Sequence, residues 1–184
     1  MNNEILKNSI YQSLNEVSDA IFYLYALVGM SEAKKENNLL FLKLASDALK
    51  NDMMSRLIKV LDKTRNTGSF WYIYEEEKID IDNFVTQELI DFNAITALCD
   101  QDRLYKIRNK VHCHLDKNYT FNQADAWQEA NISTKEIKIA LESLHCILRF
   151  LFEKYESKPF PVINYDGADA AAVVDVANTY IQIK

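Results

Sequence analysis

The chain has 184 residues, of which 48% are hydrophobic and 26% charged, a composition typical of one soluble globular domain rather than a fibrous, disordered or membrane protein. Its glycines, Gly29, Gly68 and Gly167, stand apart, which excludes the glycine-rich phosphate loops of Rossmann and P-loop proteins, and with two prolines the chain has too few turn residues for an all-β sandwich. The net charge of −6 excludes a protein that coats nucleic acid through bulk positive charge.

The first half of the chain has the periodicity of two long helices. Apolar residues recur at steps of three and four and predict a helix from about residue 3 to 28, ended by Gly29. A second helix is predicted from about residue 39 to 64, with Ser31 as the N-cap before it. We expect the two helices to form an antiparallel hairpin.

The middle of the chain is less regular. After a turn predicted at 65–69, the aromatic segment 70–74 suits either a buried strand or a short helix, because periodicity does not distinguish them. The three glutamates at 75–77 are predicted to be the solvated end of that element. Helical spacing resumes over 84–98 and 104–115, which predicts one helix with a break near Asp100, and a polar loop follows over 116–131.

The last third of the chain predicts one long and one short helix. Ser133 and Glu136 have the spacing of a capping box that opens a helix running to about Glu156, and Pro159 and Pro161 follow its end. The tail predicts a short helix, docked on the bundle or swapped onto a neighbouring molecule. The sequence therefore predicts an all-α, up-and-down bundle of four to five helices in a single domain over 1–184, with a core bundle at 1–157 and a tail at 158–184.

The cysteines and the hydropathy of the chain indicate its cellular compartment. The three cysteines are an odd number at wide spacing, and no basic-then-apolar segment precedes them, as a secretory signal would. The longest apolar stretch, residues 20–30, is too short to span a bilayer. We expect a reduced, cytoplasmic protein without a membrane partner.

The segment from Lys106 to Lys117 holds two of the three histidines. On a helical wheel, Arg108 and His114 lie on opposite sides of an apolar stripe, about 120° apart. The stripe is formed by Leu104, Ile107, Val111 and Leu115. His112 lies one turn after Arg108 and one turn before Asp116, where it can hydrogen-bond that carboxylate. An arginine and a histidine at the edge of a stripe are also typical of ion-paired and core residues.

The histidines, cysteines and carboxylates give little support for a metal site. Residues two apart on a helix point to different sides, so His112 and His114 do not form a zinc site by themselves. Glu142 and His145 have the Glu-x-x-His spacing of di-iron bundles, but the second copy that such a site requires is absent. We predict no metal and no cofactor, with His145 as a core residue.

The residues from Arg108 to Lys117, Arg-Asn-Lys-Val-His-Cys-His-Leu-Asp-Lys, resemble the signature of the HEPN superfamily of small helical domains. In that signature an Arg is followed by a polar residue and, after four to six intervening residues, by a His; here five intervene. The opening and ending of the motif are most similar to the AbiU-type abortive-infection subgroup. The resemblance covers the bundle to about Glu156.

This resemblance implies a homodimer whose two motif helices meet across a two-fold axis and form one composite cleft. It implies a metal-independent endoribonuclease, a toxin or anti-phage defence effector, with Arg108 and His114 as the catalytic residues. Asn109, Lys110, His112 and Asp116 would bind substrate or be ancillary, although a straight helix pairs Arg108 with His112. RNA is the implied substrate and a cognate antitoxin a further partner. The alternative is a non-catalytic HEPN-like dimer that binds RNA, a nucleotide or a partner protein.

Overall fold

The computed structural model describes residues 2–32, 40–64, 67–100, 103–107 and 128–182. Within these ranges the regular structure is entirely helical, which confirms the predicted all-α class. The helices are α1 (Asn2–Glu32), α2 (Leu40–Val60), α3 (Phe70–Glu76), α4 (Lys78–Gln87), α5 (Phe92–Cys99), α6 (Arg103–Ile107), α7 (Thr134–Glu156) and α8 (Ala168–Gln182).

The long helices α1, α2 and α7 form the frame of the bundle, and both partners of α1 run antiparallel to it. Arg56, near the end of α2, bonds Glu16 in the middle of α1, whereas Met30 at the end of α1 packs near the start of α2. Tyr25 of α1 donates to Glu142 early in α7, and Lys7 donates to the carbonyl of Tyr155 at its end. The predicted antiparallel hairpin of α1 and α2 is thus confirmed.

The predicted end of the first helix at Gly29 is wrong, since α1 continues to Glu32. A glycine is required at position 29 for a different reason: a Cβ there would collide with the carbonyl oxygen of Gly167, whose backbone lies against α1. Ser31 is correspondingly not an N-cap but a residue of α1, and its hydroxyl donates to the Val28 carbonyl at 2.8 Å. The close approach of Gly29 and Gly167 leads into α8, which docks on α1 with Val174 buried beside Met30.

The aromatic segment 70–74, for which the sequence allowed either a strand or a short helix, lies in helix α3. Phe70 and Ile73 are fully buried at the spacing of one helical turn, and the Trp71 indole donates to the Leu61 carbonyl at 3.1 Å. A further break, at Leu89 with φ of 52°, separates α4 from α5, where one helix was predicted before Asp100. The Asp91 side chain then caps α5 by accepting from the Ala94 amide.

Glu77 departs from the predicted solvated position. It is only 9% exposed, and Lys154 of α7 lies 2.5 Å from its carboxylate and 2.5 Å from that of Asp80. Tyr155 donates to the other Glu77 oxygen. Burial and this hydrogen bond raise the pKa of Tyr155 to about 12. Glu77 therefore ties the junction of α3 and α4 to the end of α7.

Helix α7 follows its prediction closely. The Ser133 hydroxyl accepts from the Glu136 amide at 3.2 Å, and the Glu136 carboxylate accepts from the Ser133 amide at 2.8 Å, which is the predicted capping box. The helix ends at Glu156, and Ser157 adopts a left-handed conformation with φ of 53°. Its apolar face is buried against α1 and α5, and α6 in turn packs against α5.

Candidate functional site

The residues singled out by the motif lie outside the described residues, which end at Ile107 and resume at Gln128. They are Arg108, Asn109, Lys110, His112, His114 and Asp116. What the structure brings together is the pair of chain segments on either side of residues 108–127. Helix α6 leads directly into Arg108, and residues 128–133 lead into α7.

Helix α6 is anchored by its apolar side. Leu104 is 6% exposed and Ile107 is fully buried, so the first two residues of the predicted stripe point into the core. Val111 and Leu115 lie outside the described residues. Tyr105, between the two buried residues, is 48% exposed. Because Ile107 is held in the core, the position at which the chain enters Arg108 is set by the bundle.

Arg103 joins the two segments on either side of residues 108–127. Its guanidinium donates to the carbonyl of Ala130 at 3.0 Å, to that of Ala97 in α5 at 3.2 Å, and to that of Asn131. It also bonds the Glu136 carboxylate at 3.0 Å. We call these five residues the Arg103 network. The Arg103 side chain is 17% exposed, so most of the guanidinium is removed from water.

Glu136 connects this network to the capping box. Hydrogen bonds from the Ser133 amide and hydroxyl, supported by Arg103, lower the pKa of the Glu136 carboxyl. The carboxylate therefore stays ionised. It caps the start of α7 and also pairs with the Arg103 guanidinium. Asn131, with φ of 48°, turns the chain between Ala130 and Ser133 so that adjacent carbonyls face Arg103.

The Arg103 network corrects one expectation about charge. From the sequence, Arg103 adds to a locally basic segment with Lys106, Lys110 and Lys117. In the structure its donors are engaged by backbone carbonyls and Glu136. Arg103 therefore holds α6 and the segment before α7 together and does not offer a free positive charge. Sequence reasoning had no signal for this role, because the carbonyl partners are brought close only by the fold.

A cavity of about 280 Å³ lies beside α6, between it, the C-terminal end of α2 and α5. Its walls include the buried Leu61 and Leu104, and exposed residues at its edge include Lys63 and Tyr105. We call it the α2–α6 cavity. The described residues that line it include Leu104 and Tyr105 of α6, the helix that ends immediately before the motif.

The third histidine, His145, has a structural place in the core. His145 is 8% exposed and packs edge-on against Phe160 with ring centroids 6.1 Å apart, which confirms its predicted place in the core. Burial lowers the pKa of its imidazole. Among the described residues, no group of histidines, cysteines and carboxylates is arranged to hold a metal ion.

No protein-family model, curated protein or solved structure matches this chain. Among the described helices, none combines the length and apolar character needed to cross a bilayer.

Proposed function

We propose that this chain is a metal-independent endoribonuclease of HEPN type, acting as a toxin or anti-phage defence effector on RNA. One observation carries the proposal: the Arg108–His114 motif begins directly after Ile107, at the end of a helix that the Arg103 network joins to α5 and to the segment before α7. A catalytic group needs a rigid support to keep its geometry, and α6 with α7 provides one.

The residues of the motif supply the chemistry that RNA cleavage requires. RNA carries its own nucleophile, the 2′-hydroxyl, so no metal-activated water is needed. His114 takes the 2′-hydroxyl proton as general base, the 2′-oxygen attacks the adjacent phosphorus, and the bond to the 5′-oxygen of the next nucleotide breaks. Arg108 stabilises the negative charge that gathers on the phosphoryl oxygens. The products are a 2′,3′-cyclic phosphate and, after protonation of the leaving oxygen, a 5′-hydroxyl.

A homodimer completes the proposed site. One chain offers one Arg108 and one His114, whereas cleavage by proton transfer in both directions uses a base and an acid. A two-fold interface places the same patch of both protomers opposite each other, so two arginines and two histidines meet in one cleft. Asn109 and Lys110 then contact sugar and phosphate, and His112 and Asp116 are ancillary.

The test is cleavage of end-labelled total RNA in EDTA, with the ends of the products identified. We expect the wild type to cut and to leave cyclic phosphate, and His114→Ala to reduce the rate by about 10²- to 10⁴-fold, the contribution of a general acid–base group. His112→Ala is the matched control, two residues away, and should retain most of the rate. Circular dichroism melting checks that each variant is folded.

Three outcomes change the conclusion. Cleavage that survives both Arg108→Ala and His114→Ala would sink the ribonuclease proposal. A folded dimer that binds RNA without cutting it would instead support the non-catalytic binding module, and light scattering that finds a monomer would remove the composite site.

A further inference from the structure

Helix α2 buries only part of its apolar surface within one chain. Its second half faces the core, where Leu57 is fully buried. In its first half, Leu42 and Leu49 pack against the small cluster of Met30 and Val174. Three large apolar side chains on the other side of that half face solvent, and we call them the α2 patch: Leu40, Phe41 and Leu44. A helix that is apolar on all sides is normally covered on all sides, so the patch calls for a partner.

The α2 patch is large enough to be an interface. Leu40, Phe41 and Leu44 are 68%, 75% and 58% exposed. They leave roughly 300 Å² of apolar surface in water, taking ~120 Å² for a complete leucine side chain and ~170 Å² for phenylalanine. Apolar patches of roughly 300–600 Å² on monomeric proteins are often functional. Two α2 patches brought together with the residues that flank them bury about 1,000 Å² in total, the lower limit for a specific interface.

Two charged residues accompany the patch. Lys43 and Asp47 are both exposed and lie one turn apart on α2. Lys43 is in the first turn, where the helix dipole disfavours a cation, and within the described ranges it has no ion-pair partner. Burial lowers the pKa of Lys50, and the Asp47 carboxylate opposes that shift, so Asp47 lies near Lys50. A carboxylate accepts several donors, so Asp47 can pair with a further cation.

A two-fold axis beside Ala45 brings these charges into pairs. In an antiparallel pair of α2 helices related by this axis, residues at equal distances on either side of Ala45 meet. Lys43 of one copy then faces Asp47 of the second copy, and the reverse, because each is two residues, or about 3 Å along the helix, from the axis. A parallel pair would instead set Lys43 against Lys43 and Asp47 against Asp47. Charge therefore selects the antiparallel arrangement.

The same axis fits large side chains against small ones. Phe41 lies about 6 Å from the axis along α2, and Ala48 lies about 4.5 Å from it on the opposite side. Phe41 of one copy is thus level with Ala48 of the second copy, whose methyl group leaves room for the ring. Leu44, about 1.5 Å from the axis, meets its own counterpart at the centre. Phe41, Leu44 and Ala48 follow one another at steps of three and four residues, the spacing of a seam between two helices.

We propose that the α2 patch is a self-association surface, which a second copy of this chain covers by antiparallel pairing of the two α2 helices. A net charge of −6, with Asp47 beside the patch, favours a second copy over a membrane, because anionic lipids repel an acidic surface.

The interface is separate from the motif, so the inference goes beyond the proposed function. Leu44 is 16 residues, or about 24 Å along α2, from Val60. The end of α2 beyond Val60 lines the α2–α6 cavity, whereas the α2 patch lies at the start of the helix. A dimer formed through the motif helices becomes a tetramer when it also pairs through α2.

Sedimentation velocity of the full-length protein, from about 1 to 200 μM, measures the mass of the particles over the range expected for a small interface. Phe41→Glu places a charge in the seam. Ile79→Glu is the matched control, because Ile79 is 77% exposed on α4. We expect the wild type to gain mass with concentration, Phe41→Glu to weaken this association at least about tenfold, and Ile79→Glu to stay within about twofold.

Exchanging the two charges tests the register. Lys43→Asp alone and Asp47→Lys alone each set like charges opposite one another at two points, and should weaken association about tenfold. The two substitutions combined restore both pairs, and should return the dissociation constant to within about threefold of the wild type. Lys43→Asp also places an acid in the first turn of α2, which the helix dipole favours, so its weaker association is not a loss of folding. Circular dichroism melting confirms this for each variant.

The outcomes separate this interface from the motif. Association of Phe41→Glu as strong as that of the wild type overturns the α2 interface, even if the wild type is a dimer that cuts RNA. A wild type that stays monomeric overturns it too, and so does a combined variant that associates no better than the single ones. A monomer that sediments with vesicles of phosphatidylcholine and phosphatidylglycerol, and loses them on Phe41→Glu, assigns the patch to lipid instead. Association that depends on Phe41 and on the charge exchange supports the α2 interface, whether or not RNA is cut.

Discussion

Replacing Arg103 by methionine removes the guanidinium and keeps most of the apolar length of the side chain. The change separates the segment at 130–131 from α5 and α6 without opening the core around Leu104. We expect the protein to lose stability and, where it cuts RNA, to lose cleavage as well, because α6, which leads into the motif, is no longer joined to the segment before α7.

The expected loss follows from the groups left behind. Ala130 is 1% exposed, so its carbonyl loses a charged donor in a place that water does not readily reach, which costs about 1–3 kcal/mol. The carbonyl of Ala97, partly buried, adds about 1 kcal/mol. The pair with Glu136, whose side chain is 39% exposed, contributes at most about 1 kcal/mol. Together these give a decrease of about 3 kcal/mol in the free energy of unfolding.

Thermal and urea unfolding followed by circular dichroism measure this decrease. For a domain of this size, about 3 kcal/mol corresponds to a fall in Tm of roughly 6–12 °C. Arg149→Met is the matched control: Arg149 is 42% exposed and pairs with Glu153 one turn away at 3.3 Å, so its loss should cost only about 0.3–0.5 kcal/mol. If Arg103→Met melts within 2 °C of Arg149→Met, the reasoning about the Arg103 network is refuted.

Two further predictions concern the frame of the bundle. Gly29→Ala should lower the free energy of unfolding by about 1–2 kcal/mol in urea titrations, because the new methyl group meets the Gly167 carbonyl. Gly68→Ala is the control, because its methyl group meets the Ser9 hydroxyl at 2.6 Å, which can rotate away. A rise in stability for Gly29→Ala would show that helix propensity outweighs the contact. The buried imidazole of His145 has a lowered pKa, so the unfolded chain takes up a proton near pH 6.5 that the folded chain resists, and stability should fall as the pH drops below about 6.5. Urea unfolding at pH 7.5, 6.5 and 5.5 should show a shallower fall for His145→Leu, by at most about 1.4 kcal/mol per pH unit, and equal slopes would contradict the assignment.

The parts of the fold that the sequence predicted are those decided by local interactions. The capping box of Ser133 and Glu136 joins residues three apart, and the stripe of α7 repeats every three to four residues, so both are visible in a short window. Leu104 and Ile107 were placed on a buried stripe for the same reason, and both are buried.

The errors arose where a distant segment decides the local structure. Gly29 is a good helix terminator in isolation, but its missing side chain admits the backbone of Gly167, and the helix continues. Glu77 belongs to an acidic run that water would satisfy, yet Lys154 and Tyr155 of α7 meet it and make burial favourable. Neither partner can be inferred from spacing within one segment.

The candidate site combines both cases. The pattern of Arg108 and His114 is local and was found in the sequence. Helical spacing pairs Arg108 with His112, whereas the HEPN-like pattern selects His114, so spacing alone does not decide between the two histidines. Arg103 shows the opposite: the sequence shows only one more basic residue near the motif, and the fold reveals that carbonyls of α5 and of the segment before α7 accept its hydrogen bonds. The proposed function gives the chemistry to Arg108, whereas Arg103 positions the chain. Arg103→Met should therefore affect stability and cleavage together, and Arg108→Ala should affect cleavage without lowering Tm by a comparable amount.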